Sequence, residues 1–506
     1  MRPLHLSAHF VSLWVCSVLS SPTGGSCPVM HPGERVIKEL GPQLSQHASI
    51  VLPSSDEGSN LLIRASTPRV APAFVAIVEV ATEQDVQKTI RYANEKSKPF
   101  LAVSGAHGWP LTLNNVKNGI QINMRKLNST AIAEDGNTAT IGGGALQWEI
   151  TSSLFKQQKQ AVTGICECTS GIGPLLGGGH SMLQNRHGFA ADNLVSARVA
   201  LADGSIVRVA ENENADLFWA IRGAGHNFGI VMSYELKLYD ASAKWNMTVF
   251  SFTQDKLEEF FSTWNQLEQD IANPGLLLLN GVMARNPEVD KDYPLINLQV
   301  IYEGSDTAID TYTTAFRKLG PVFDQTTKDI AWGDLFEAGG FGKSSQVCRK
   351  NENILGYPNS FESWDVEGMR RGFSLYTNLT ADPVFTGAAW LLESYGRVGV
   401  RNVPADFNAV APEERQRHLL TSPMLWWKGH KEADRQKAMS YGSQIQKAIR
   451  GEDVIPHMYV NYAMGSETVA ETYGRDQSRV QRLRQLKAKW DPKDRFGFYN
   501  PLTKGQ

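Results

Sequence analysis

Val162–Asp203 reads VTGICECTSGIGPLLGGGHSMLQNRHGFAADNLVSARVALAD. Cys166 and Cys168 stand at its head, glycines crowd its middle, His180 and His187 follow, and it runs out into an apolar strand. Glycine at this density lets backbone N–H groups approach a ligand closely, because no Cβ intervenes. A dinucleotide pyrophosphate is the usual guest of such a cradle. The spacing excludes the two commonest scaffolds for it. Gly171 and Gly173 open a G-x-G, but Leu176 occupies the third glycine position. Gly223-Ala224-Gly225 fails in the same way at Phe228, and no Lys-Ser/Thr follows either run.

Working outward, Val75 to Val103 reads strand, helix, strand, with Thr82 and Asp85 spaced as a capping box and Val86, Ile90 and Ala93 as a helical stripe. Ile120, Ile122 and Met124 alternate as in a half-buried strand. Asp135-Gly136 and Asp203-Gly204 each mark a hairpin between apolar runs. Ala145 to Gln158 reads as helix. Asn214 is expected to cap a short helix over Asp216 to Arg222, with strand from Phe228 to Leu238. After Ala241 the elements lengthen: a helix over Asp255 to Ala272, strands at Leu276–Val282 and Ile296–Tyr302, an exposed loop from Lys343 to Ser363, and helices at Glu432–Arg450 and Val480–Lys489. The fold class is α+β. Expected domains are 69–242 for the nucleotide-binding unit and 243–455 for a second unit, with 456–506 returning to the first.

The 506 residues supply ample core for two domains, and 50 basic against 52 acidic side chains leave a net charge of −2. That balance predicts no nucleic-acid partner. Arg2 and His5 precede an apolar run from Phe10 to Leu19, and small residues fill Ser20 to Gly25. This is the layout of a secretory signal over residues 1–20, with cleavage expected between Ser20 and Ser26. The run is too short to span a bilayer, so a secreted or endomembrane-lumen protein free of the membrane is expected. Cys27, Cys166, Cys168 and Cys348 would remain, enough for two disulfides whose pairing the sequence leaves open. Sequons at Asn128, Asn246 and Asn378 are candidate glycosylation sites.

Two further constellations carry chemistry. Ser104-Gly105-Ala106-His107-Gly108 follows directly on a strand, where a histidine serves as ligand, base, covalent anchor or plain loop residue. Near the C-terminus stand Tyr459-Val460-Asn461-Tyr462 and Asp491-Pro492. A tyrosine works as general base only with a lowered pKa or coupled proton loss. Cys166-Glu167-Cys168 is tighter than zinc spacing and no second pair follows, so no metal is expected.

Taken in order, these motifs resemble the FAD-linked oxidases of the berberine bridge enzyme type, in the vanillyl-alcohol oxidase superfamily. The resemblance rests on Ser104-Gly105-Ala106-His107, Gly164-Ile165-Cys166, Leu176-Gly177-Gly178-Gly179, Ala191-Asp192-Asn193, Asp216 to Val231, and Tyr459, Asn461, Tyr462, Asp491, Pro492 and Phe496. It covers about residues 69–242 and 455–503, and within the family the fungal secondary-metabolite branch is the nearer. It implies a PCMH-type FAD-binding domain of two subdomains, roofed by an α+β substrate domain. By resemblance His107 carries FAD covalently, and Cys166 matches a second attachment point. The neighbouring Cys168 leaves open which thiol is used. Ser104, Gly105, Ala106, Gly108, Gly171, Gly173, Gly178, Gly179, His180, Asn193, Gly229, Ile230, Val231 and Asn500 are the implied cofactor contacts. Ala106 and Gly108 depart from the family's glycine and serine. Tyr462 matches the family's catalytic base, with Tyr459 as the fallback.

The implied reaction is dehydrogenation of a small natural-product molecule by hydride transfer to FAD, with O2 as acceptor and H2O2 as product. A carbohydrate oxidase is the alternative on the same chemistry, and a flavin-fold binder or ring-closure scaffold without turnover is the second. Trp426 and Trp427 are candidates for the substrate wall or for plain core.

Overall fold

The structure is a computed structural model that describes residues 30–269, 276–304, 306–450 and 456–503. The expected signal segment, Cys16 and Cys27 lie outside them. Three sheets organise the chain. In the first, the order is Ser49–Val51, Phe74–Glu79, Gly119–Asn123, Phe100–Val103, and Gly119–Asn123 runs parallel to both neighbours. The helix Glu83–Glu95 forms where the capping box places it. Thr82 Oγ1 accepts from the Asp85 amide at 3.2 Å, and Asp85 Oδ2 accepts from the Thr82 amide at 2.9 Å. Its stripe of Val86, Ile90 and Ala93 packs in one core with Val78, Ile120 and Ile122. Gly119–Asn123 is buried on both faces rather than one. Its outward Gln121 is covered by the incoming chain and donates to the Leu61 carbonyl at 3.1 Å.

The second sheet is built on the long strand Ile230–Asp240, which pairs with Thr138–Gly142, Leu194–Ala200 and Lys159–Ala161. Both expected hairpins form, with Gly136 at φ +70° and Gly204 at φ +80°, the left-handed turn conformation that glycine takes without strain. The helix Ala215–Ala224 breaks at Arg222 and Gly223. Asn214 does not cap it through its side chain. It sits at φ +50° and donates instead to the Arg208 carbonyl at 2.7 Å.

The third sheet is antiparallel, in the order Phe323–Ile330, Trp245–Phe252, Leu295–Glu303, Leu276–Ala284, Ala389–Tyr395, Leu419–Trp427, Asn353–Gly356, with Asn359–Phe361 also on Leu419–Trp427. Helices Leu257–Leu267, Val366–Thr380 and Glu432–Arg450 supply Trp264, Phe373 and Ile445 to the core against one face of it. The other face looks toward the first two sheets. The segment Lys343–Ser363, expected as exposed loop, contributes two of these strands, and both are buried. Their Asn, Gly and Pro content hides them, because pairing with the distant Leu419–Trp427 decides their conformation.

The C-terminal segment packs against the first two sheets. Lys487 Nζ donates to the Asn227 carbonyl at 2.8 Å and to Asp491 at 2.6 Å, and Arg495 reaches the Lys98 carbonyl at 2.6 Å.

Candidate active site

A cavity of ≈ 360 Å³ lies where the three sheets meet. Strand Phe100–Val103 delivers Ser104, Gly105, Ala106, His107 and Gly108 to its wall, and the glycine segment delivers Cys166, Gly173 and His180. Gly229, Ile230 and Val231 close it at the head of the long central strand. The loop must pass against the backbone of the Cys168–Ser170 turn, since a Cβ on Gly105 would meet the Ser170 nitrogen at 2.8 Å. Ala106 takes φ +56°, a conformation that strains any residue with a Cβ.

His107 is half-buried, and its Nε2 is withdrawn from solvent without a partner. Burial pushes its pKa down to about 4, assisted by the nearby charges of Lys350 and Arg64. The imidazole is therefore neutral at pH 7, with a free nitrogen in the cavity wall. Cys168 is disulfide-bonded to Cys348, which leaves Cys166 as the free cysteine among the described residues. Burial pushes the Cys166 thiol up to about 12, with the Glu393 charge adding to the rise.

Alternation along Ala389–Tyr395 sets the opposite wall. Trp390 and Leu392 enter the helix-side core, so Leu391, Glu393 and Tyr395 point the other way. The same alternation separates the two tryptophans of Leu419–Trp427. Trp426 lines the cavity, whereas Trp427 belongs to the helix-side core. Tyr462 Oη donates to Glu393 Oε2 at 2.8 Å, and Tyr395 Oη donates to Glu393 Oε1 at 2.9 Å. Burial raises the Glu393 carboxyl pKa, opposed by the two phenols and by His180. The Tyr462 phenol is itself raised well above its ordinary value, by burial and then by the Glu393 charge. Both effects disfavour ionisation of the phenol, and its hydroxyl is held by Glu393. The sequence alone does not single out Glu393. Its one signal is a lone carboxylate inside Ala-Trp-Leu-Leu-Glu-Ser-Tyr.

Tyr459 has a different task. Its oxygen accepts from the Gly179 and His180 amides at 3.1 and 3.3 Å and from Asn461 Nδ2 at 2.6 Å, which ties the C-terminal tyrosines to the glycine run. A Cβ on Gly177 would lie 2.3 Å from Asn461 Oδ1, so glycine there permits the docking. Behind this clasp His180 Nε2 meets Glu414 Oε1 at 2.7 Å, and His457 Nε2 meets Glu414 Oε2 at 2.6 Å.

Five expected cofactor contacts do not line the cavity. Gly171 is held small by Ile150 and Tyr234, Gly178 takes φ +111° beside Val410, and Gly179 takes φ +83° against Ala190. The Asn193 amide donates to the carbonyls of His187 and Phe189 and accepts from Tyr239, while Asn500 donates to the Val460 carbonyl. These residues shape the frame. Among the sequons, Asn128 and Asn378 are exposed. Asn246 is closed to glycosylation, because it is buried and donates to the Gly304 carbonyl at 2.7 Å.

The FAD binding domain family matches residues 74–210, and the family described as berberine and berberine like matches residues 458–502. The chain is 34% identical over 503 residues to FAD-linked oxidoreductase chyH of Penicillium rubens, covering 97% of this chain and 99% of that one. It is 33% identical to FAD-linked oxidoreductase chry5 of Gibberella zeae, covering 92% and 94%. In fold it resembles a xylooligosaccharide oxidase from Myceliophthora thermophila, with TM-score 0.78, 20% identity, and 93% and 98% of the two chains covered. It resembles the BBE-like 1 protein of Physcomitrella patens equally, with TM-score 0.78, 18% identity, and 92% and 99% covered.

Proposed function

Because the chain belongs to the FAD-linked oxidoreductases of the berberine bridge enzyme type, we propose that it oxidises a small natural-product molecule at the Tyr462–Glu393 wall of the cavity, with O2 as the final acceptor. The residues present fit FAD. A neutral imidazole nitrogen without a partner, a glycine-bearing loop at the end of a strand, and a free thiol all meet in one cavity. His107 would hold the cofactor covalently and Cys166 would provide the second attachment, since Cys168 is committed to Cys348. Bound FAD supplies a two-electron acceptor for hydride, which O2 regenerates with release of H2O2.

The protein's own part is the proton. Tyr462 Oη takes the proton from the substrate as its own passes to Glu393 Oε2, so no isolated tyrosinate forms in the buried site. Tyr395 holds the other carboxylate oxygen and fixes the orientation of Glu393. The observation that carries this reading is the hydrogen bond to Glu393 from Tyr462, which lines the same cavity as His107 and Cys166. The expected signal segment and the exposed Asn128 and Asn378 support a secreted, glycosylated product.

Acid precipitation of purified protein should retain the yellow colour, with a flavinylated peptide containing His107. Cys166→Ala should leave the flavin attached and change its spectrum. Aerobic screening of aromatic alcohols, amines and oligosaccharides should detect H2O2 with the first two classes. Flavin fully released by acid would remove the covalent reading. Flavin that stays oxidised with every substrate would favour a non-redox binder.

A further inference from the structure

The substrate side of the cavity is apolar. Ile354, Leu391, Met424 and Trp426 form one cluster with Ala65 and Trp109. Two buried donors interrupt it. Trp426 is 7% exposed and its Nε1 has no partner, and Arg64 is 6% exposed and its Nε has none. Both residues line the cavity. Arg64 makes one side-chain hydrogen bond, from Nη2 to the Gly108 carbonyl at 3.3 Å, and among the described residues no carboxylate pairs with it. Arg415, equally buried, also leaves its Nε without a partner, but its guanidinium has a carboxylate. It meets both oxygens of Asp192, at 2.7 and 3.0 Å.

The chain places Arg64 between the two halves of the site. The Ala65 amide donates to the Ala106 carbonyl at 3.0 Å, beside His107. On its other side the Arg64 and Ala65 carbonyls accept from the Asn351 and Glu352 amides at 2.8 and 3.1 Å. That segment leads into Asn353–Gly356, where Ile354 sits opposite Trp426. Lys350, at its start, adds a second positive charge close enough to be felt by both Arg64 and His107. A guanidinium withdrawn from water without an anion is strongly unfavourable, and two unmet donors in an apolar wall ask for an acceptor. A sugar is met best by paired donors and acceptors, and the cluster of Ile354, Leu391 and Met424 offers it none.

We infer that the cavity takes a flat, largely apolar substrate bearing an anionic oxygen, a carboxylate or an ionised enol, and that Arg64 recognises that oxygen. The inference rests on reading this cavity as the oxidation site and names its substrate class. A phosphate of FAD offers the same chemistry to Arg64, so the test separates the two sources.

The holoenzyme is titrated with 2-naphthoate and with the neutral 2-naphthalenemethanol, and binding is followed by quenching of tryptophan fluorescence. Wild type should bind the carboxylate about tenfold or more tightly than the alcohol, as a charge-assisted hydrogen bond requires. Arg64→Met should erase that preference, leaving the alcohol's affinity and the FAD content unchanged, and Arg64→Lys should restore part of it. Equal binding of the two probes by wild type overturns the inference, and that comparison needs no variant to fold. Loss of FAD from Arg64→Met with the naphthoate preference intact also overturns it, and assigns the guanidinium to the cofactor. Binding does not require turnover. A naphthoate preference in a protein that forms no H2O2 would therefore uphold the substrate class while removing the oxidase reading.

Discussion

Tyr462 Oη donates a 2.8 Å hydrogen bond to Glu393 Oε2, joining the C-terminal segment to an interior strand of the third sheet. In the proposed reaction the pair acts as one base. Burial holds the Tyr462 phenol far from ionisation, and Glu393 lies behind it. Glu393→Gln keeps the shape and removes the proton acceptor, while Tyr462→Phe keeps the ring and removes the relay. Each should slow flavin reduction in stopped flow by roughly 10²–10⁴-fold. The double variant should be little worse than either, because the two act as a unit. Wild-type reduction by Glu393→Gln would move the base elsewhere.

The same pair fixes a pH dependence. Glu393 must be ionised to accept the Tyr462 proton, and burial raises its pKa. Reduction should therefore be lost as pH falls, with its acid limb above the ordinary carboxylate value of about 4.3. Tyr395 donates to the ionised form and lowers the pKa, so Tyr395→Phe should move that limb to higher pH. A limb that stays in place would show that it reports another group.

Local signals account for what could be read in advance. The Thr82–Asp85 box and the two Asp-Gly turns are short-range chemistry, and each forms where the residues place it. His107, Cys166 and Tyr462 meet in one cavity because each motif lies at the end of a strand or against the glycine run. Glu393 and Arg64 were not legible, because their roles depend on which strand of the third sheet faces the first two. Trp426 and Trp427 divide between wall and core for the same reason, since adjacent residues of a strand face opposite ways. Glycine density misled in one respect. Gly177, Gly178 and Gly179 serve the Tyr459 clasp and the chain's own packing more than a ligand.

Cys168–Cys348 staples the turn after Cys166 to the segment that leads into Asn353–Gly356. It closes a loop of sequence separation 180, and it holds the lower wall of the cavity to the substrate-side sheet. Cys348→Ser should lower stability by about 2–4 kcal/mol in denaturant unfolding. The flavin should remain attached, because Cys166 takes no part in the bridge. Flavin loss in Cys348→Ser, in protein that is still folded, would show that the staple also positions the attachment site.

Glu414 anchors the rear of the site, accepting from His180 at 2.7 Å and His457 at 2.6 Å while 4% exposed. Gln184 Oε1 faces the other His180 nitrogen at 2.9 Å. Its amide is oriented by the Ser181 amide at Oε1 and by the Gly396 carbonyl at Nε2, which fixes the ring between Gln184 and Glu414. Burial opposes ionisation of Glu414, but the two histidines outweigh it and hold the carboxyl at about 2. An unfolded glutamate titrates near ~4.3, so the folded state binds the proton more weakly. The resulting stabilisation is fully present above that unfolded value and is lost as pH falls toward 2. Glu414→Gln leaves two histidines facing a neutral amide, and breaking a buried pair of this kind costs about 3–5 kcal/mol. Denaturant unfolding at pH 7 should show that loss. The difference between wild type and variant should shrink between pH 4 and pH 2, where wild type forfeits the same interaction. A gap that stays constant down to pH 2 would mean that Glu414 stabilises by packing, not by charge.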